Sequence, residues 1–218
     1  MTIASSRRQA RSARSQATSG VGPTDATAGT WPGAKQRFAL FGEVLLTGII
    51  VVLLSVAIVT IPLAIAVGKR HLMRYLRADG SQLSLVGGDL REGFVGGVGI
   101  GCAWLAVTGV LLMDLLLVAS GALPGGVVVG AIAAVLLAAV TVLALWVAAS
   151  WTPALGWRAS VRVGLAAVRT DAIGSVYLVV AAGLVVLFTW MLPPLVIPAL
   201  GCLCFAVAAI SVRHAARS

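Results

Sequence analysis

The stretch Thr60–Asp79, TIPLAIAVGKRHLMRYLRAD, decides how this chain is read. Apolar residues run to Val67. Arg70, Arg74 and Arg77 then follow at i, i+4 and i+7, on one helical face, with Leu72, Tyr75 and Leu76 opposite. The pattern returns in Thr152–Asp171, TPALGWRASVRVGLAAVRTD. There Arg158, Arg162 and Arg169 share one face, and Trp157, Val161 and Val168 share another. Each stretch reads as a membrane helix that reaches the surface, bends at proline and lies among the headgroups.

Composition agrees. Hydrophobic residues make up 60% of the 218 and charged residues 11%, far from the near-half and one-quarter of a soluble domain. Several apolar runs exceed the roughly 18 residues that mark a spanning helix. The fold class expected is all-α: a polytopic membrane protein with five transmembrane helices and two amphipathic basic cytoplasmic helices. The net charge of +9 sits in the N-terminal tail and at helix ends. That distribution points to the bilayer and its anionic lipids as partner, and away from nucleic acid. Cys102, Cys202 and Cys204 all fall in apolar runs. They match no zinc spacing and read as small packing residues.

Residues 1–37 read as a disordered basic tail, because nothing apolar recurs there. Residues 38–218 form one helical transmembrane domain. Its spans are expected at about 40–67, 94–119, 127–149, 173–192 and 195–212. Residues 82–88 read as a loop, with Asp89 and Glu92 as a capping pair for the second span. Asp171 or Thr170 caps the fourth.

Lysine and arginine favour the cytoplasm. The segments 69–91 and 152–171 and the C-terminus carry the basic residues, and the turns 120–126 and 193–194 carry none. An odd number of spans then puts the C-terminus in the cytoplasm and the N-terminus outside, in a cell (plasma) membrane. The basic tail strains against that placement. The alternative makes 40–67 re-entrant and keeps every basic segment on one side, but such a run must be covered by protein. The lipid-like character of 40–67 favours the five-span reading.

Few residues suggest chemistry. Asp114 is the one carboxylate well inside a span, and a charge there is a candidate site because it is costly. A hydrogen bond to Thr47, Thr189 or Trp190, or a reach toward Arg37, would give it a structural role. Arg70, Arg74, Arg77, Arg158, Arg162 and Arg169 are candidates for binding lipid or a partner. Gly93, Gly97 and Gly101 form two overlapping G-x-x-x-G steps and are candidates for close helix packing. His71 and His214 read as interface residues. No catalytic triad, carboxylate pair, phosphate loop or metal spacing is found, so no enzyme, cofactor or metal is expected.

From about Phe38 to Val212 the chain resembles the YesL-like family of bacterial integral membrane proteins, a domain of unknown function. The likeness rests on Thr60-Ile61-Pro62-Leu63-Ala64, the basic helix after it, Asp89-Leu90-Arg91-Glu92-Gly93-Phe94, Asp114, and the second basic helix. The long polar tail and the glycine-rich second span depart from the family pattern. The resemblance implies a five-span protein linked with carbohydrate uptake, and brings no binding residues. The function expected is an accessory or scaffold subunit of a membrane transport system. The alternative is a small transporter in its own right, with Asp114 in the path.

Overall fold

The structure, a computed structural model, describes residues 32–77, 83–121 and 125–217, with side chains from Phe38 onward. Contacts divide the chain into Met1–Leu40 and Phe41–Ser218. The bundle lies in the second unit. The expected tail over 1–31, the turn after Arg77 and the centre of the turn at 122–124 lie outside the described residues. The described residues are helical throughout, without a strand.

Helix α1 is Pro32–Leu54, so residues 32–37 belong to a helix and not to the tail. A 3₁₀ turn at Ile58–Thr60 leads into α2, Ile61–Leu76. Then come α3 Leu83–Ala119, α4 Gly126–Ser150, α5 Gly156–Thr170, α6 Ala172–Met191 and α7 Val196–Ala215. Four segments are long and apolar enough to cross a membrane: Leu83–Ala119, Gly126–Ser150, Ala172–Met191 and Pro193–Ala215. They make this a helical protein of membrane-embedding character.

The run 40–67 is not the single helix expected. It breaks at residues 55–57, and its two halves fold back on each other. At the tip the Thr60 hydroxyl donates to the carbonyls of Leu54 and Ala57, and the Thr60 amide donates to Ala57. These bonds turn the chain where the α1 ladder stops. Further down, Gly68 packs against Thr47 and Val51. At the base His71 Nε2 stands 2.9 Å from Glu43 Oε1. These paired positions run in opposite directions along the chain, so α1 and α2 form an antiparallel hairpin. Pro62 starts α2 near its first turn, where a missing N–H costs nothing.

The α2 half of the hairpin is covered by protein: Leu63, Ala64, Ala66 and Val67 are fully buried, packed on α3, α4 and α7. The α1 half buries only one face, with Val44, Thr47 and Val51 inside and Phe41, Ile49, Leu53 and Val56 exposed. At the tip Val59 lies against Gly101, twelve residues along α3 from Asp89 at the basic end, roughly 18 Å at the helical rise.

Helix α3 also starts earlier than expected, at Leu83, so the expected loop at 82–88 is helix from Leu83 on. The glycines of α3 are where the hairpin docks. A Cβ on Gly93 would lie 2.7 Å from the Trp151 ring and 2.8 Å from Leu63 Cδ1. One on Gly97 would lie 3.0 Å from Leu63 Cβ, and one on Gly101 would overlap the Val59 carbonyl. A second close crossing escaped the sequence reading: Gly48 of α1 meets Ile197, and Gly201 of α7 meets Val44.

Candidate functional site

Charged side chains, Asp114 apart, gather at one end of the bundle, where two buried carboxylates are paired with arginines. Asp89 is not a cap. It is buried on α3, and its Oδ2 accepts from Arg74 Nη2 at 2.6 Å and Arg70 Nε at 3.1 Å. Arg70 also lies over the Trp151 ring, 5.6 Å from its centroid. Trp151 stacks in turn on Trp157, whose Nε1 donates to the Gly93 carbonyl at 2.9 Å. One carboxylate, two arginines and two indoles thus tie α2, α3, α4 and α5 together.

Asp171 does a similar job for the other half. Its Oδ1 accepts from the Gly174 amide at 2.8 Å and so caps α6. Both its oxygens also accept from Arg213 at the end of α7. Burial alone would raise its pKa, but the Gly174 amide and the Arg213 guanidinium overcome that and hold the carboxyl below its ordinary value.

The two basic stretches have different fates. In α2, Arg70 and Arg74 are held by Asp89, and Arg77 is exposed. In α5, Arg158, Arg162 and Arg169 are all exposed, while Trp157, Ser160, Gly164 and Ala167 on the reverse face are buried. Leu155, Val163 and Leu165, between 41% and 44% exposed, are interleaved with these arginines. No described carboxylate lies within ion-pair distance of the three.

Between α2, α4, α5 and α7 there is a cavity of about 360 Å³. Lys69, Arg77 and His214 line it, with Ser150, Met73 and Val163 among its other walls. Lys69 Nζ donates to the Ala149 carbonyl at 2.6 Å. Burial above all, then the charges of Arg70 and Arg77, lower its pKa to about 8. Sequence reasoning missed Lys69 because one lysine beside arginines carries no signal of its depth. His71, read as an interface residue, meets Glu43 only because the hairpin closes.

Asp114 sits half-buried in the far half of α3. It makes no hydrogen bond with Thr47, Thr189 or Trp190, and the side chain of Arg37 lies outside the described residues. Thr47 and Thr189 turn their hydroxyls onto the carbonyls of Glu43 and Val185 in their own helices. Trp190 is 88% exposed. Among the described residues no three His, Cys, Asp or Glu side chains stand close enough to hold a metal ion. No protein-family model matches this chain, and searches of curated proteins and of solved structures return no match.

Proposed function

We propose that this chain is an accessory scaffold of a membrane transport system, and that the outer face of α5 is its working surface. The supporting observation is the row Arg158, Arg162 and Arg169: exposed, free of internal partners, and interleaved with exposed Leu155, Val163 and Leu165. A helix so patterned, held between two spans, suits an anionic headgroup layer or an acidic partner. The charges of α2 serve cohesion, since Arg70 and Arg74 are bound to Asp89.

The topology that goes with this reading has four spans and a re-entrant hairpin. The hairpin base, the Asp89 cluster, α5 and the end of α7 then share one face, and both termini lie on it. Lysine and arginine place that face in the cytoplasm. The tail's basic residues, which strained the five-span arrangement, fall on the favoured side.

The YesL-like resemblance, carried by its motifs alone, is the reason to seek the partner among carbohydrate-uptake subunits. The second reading, a small transporter, draws on Asp114: a half-buried carboxylate without a partner in the bundle. The test is retention of lipid and protein after purification of the full chain in mild detergent. Replacing Arg158, Arg162 and Arg169 by Gln should leave insertion intact and cut anionic-lipid or partner retention several-fold, at about 1 kcal/mol per contact. The three Lys replacements keep charge without the forked grip and should fall between. Retention equal to the parent in the Gln variant would refute the reading.

A further inference from the structure

The cavity between α2, α4, α5 and α7 holds a charge that no carboxylate among the described residues balances. Lys69 is partly buried, and its hydrogen-bond partner among the described residues is the Ala149 carbonyl, a neutral group. The charges nearest it along α2 are Arg70 and Arg77, of its own sign. Arg70 is committed to Asp89, but Arg77 and His214 turn onto the same cavity, and no carboxylate lines it. Asp171 lies 3.9 Å from His214 Nδ1, and Arg213 is already paired with it. An enclosed ammonium is stable when paired and costly when it is not. What remains is a lysine, an arginine and a histidine around a space of about 360 Å³, with Met73, Val163 and Val212 on its walls.

We propose that this cavity binds a phosphate group, with Lys69, Arg77 and His214 as its ligands. Lys69 keeps two N–H groups beyond the one given to Ala149, Arg77 offers its fork, and His214 offers Nε2. These donors suit the oxygens of a phosphate better than a single planar carboxylate. The cavity lies at the basic end of the bundle and has apolar walls. Phosphate can therefore arrive as the headgroup of an anionic phospholipid or as a free phosphate-bearing solute. The site shares Val163 with the outer face of α5 but none of that face's arginines, and stands whether or not that face docks anything.

Lys69 is one of two lysines in the chain, the other being Lys35, so its acylation can be followed by peptide mass spectrometry. The full chain in mild detergent is treated with an amine-acylating reagent at about pH 8, where the neutral amine is well populated. A short-chain phosphatidylglycerol, inorganic phosphate or a short-chain phosphatidylcholine is added in parallel. The expected result is at least five-fold slower acylation of Lys69 with an anionic phosphate compound, and an unchanged Lys35. Protection by phosphatidylglycerol alone identifies the lipid headgroup as the source. Protection by inorganic phosphate as well identifies a free phosphate. Protection should weaken at least five-fold in Arg77→Gln and in His214→Asn, either of which suffices if the other fails to accumulate. No protection by either phosphate compound overturns the proposal. So does equal protection by phosphatidylcholine, or protection unchanged in the variants.

Discussion

Gly101→Ala measures how tightly the α1–α2 hairpin is held. The added Cβ would overlap the Val59 carbonyl oxygen and lie 2.8 Å from the carbonyl carbon. Both obstacles are backbone, in the turn that reverses the chain, so no side chain can swing aside. Overfilling a packed interior costs about 1–3 kcal/mol. Against this, Gly→Ala in a helix gains roughly 0.5–1 kcal/mol from the unfolded chain. The gain can be cancelled with a control. Gly109 lies two turns further along α3, with nothing within 4 Å of its Cβ position. The difference between Gly101→Ala and Gly109→Ala therefore isolates the packing term, about 1–3 kcal/mol. At roughly 2–4 °C per kcal/mol for a chain of this length, the two variants should differ by about 2–12 °C in Tm. Tryptophan fluorescence during heating in mild detergent gives the measurement directly. Gly109→Ala should equal or exceed the parent, and Gly101→Ala should fall below it. Equal Tm values for the two variants would refute a hairpin whose tip is seated on α3.

Other consequences follow from the same geometry. Reporters fused to the two termini should both read out on the cytoplasmic side in intact cells; opposite readings would restore the five-span arrangement. Asp89→Ala leaves Arg70 and Arg74 without their acceptor in a half-buried site, and chemical unfolding in detergent should show a loss of about 2–3 kcal/mol, since breaking such a pair strands its charges. For Asp171 the folded-state pKa is depressed, so its contribution is present above the ordinary carboxylate value and lost as pH falls through the folded one. Tm measured from about pH 5 downward should drop more steeply in the parent than in Asp171→Asn.

Some of this fold is plain in the sequence because its determinants are local. The last three spans are uninterrupted apolar runs closed by Pro-, Gly- or Trp-bearing turns. Asp171 at the start of an apolar run is a cap by composition and by geometry. The hairpin was the alternative and not the preferred reading, for a physical reason. Residues 40–67 are apolar on every side, which is what lipid demands and also what the inside of a bundle demands. Only the neighbours distinguish the two, and those neighbours are Gly93, Gly97 and Gly101 in α3 and Gly201 in α7, far along the chain. The local mark of the bend is faint. Ser55 and Thr60 bracket it, and a threonine near proline is as common at the end of a span as at the tip of a loop. Glycine spacing showed that α3 would be approached closely, but could not show by what.

The same limit explains the two arginine rows. Written as helices they are near-copies: arginines along one face, apolar residues along another, a proline close to the start. Nothing in either row says whether its charges are spent inside the protein or kept for something outside it. That is decided by one residue elsewhere. Asp89 stands at the level of α2, so Arg70 and Arg74 turn inward and fasten the hairpin to α3. No acid stands opposite Arg158, Arg162 and Arg169, because the carboxylate nearest them in sequence, Asp171, is taken by Gly174 and Arg213. A charge left unpaired at a membrane surface is cheap, since water and headgroups solvate it, whereas one enclosed in a cavity is not. By that criterion the exposed arginines of α5 are compatible with having no partner at all. Lys69 has a stronger claim to an anion than any of them, because it is partly buried and no carboxylate among the described residues pairs with it. The basic character of this face therefore holds three distinct arrangements: an internal clasp at Asp89, an outward row on α5, and a partly buried ammonium between them.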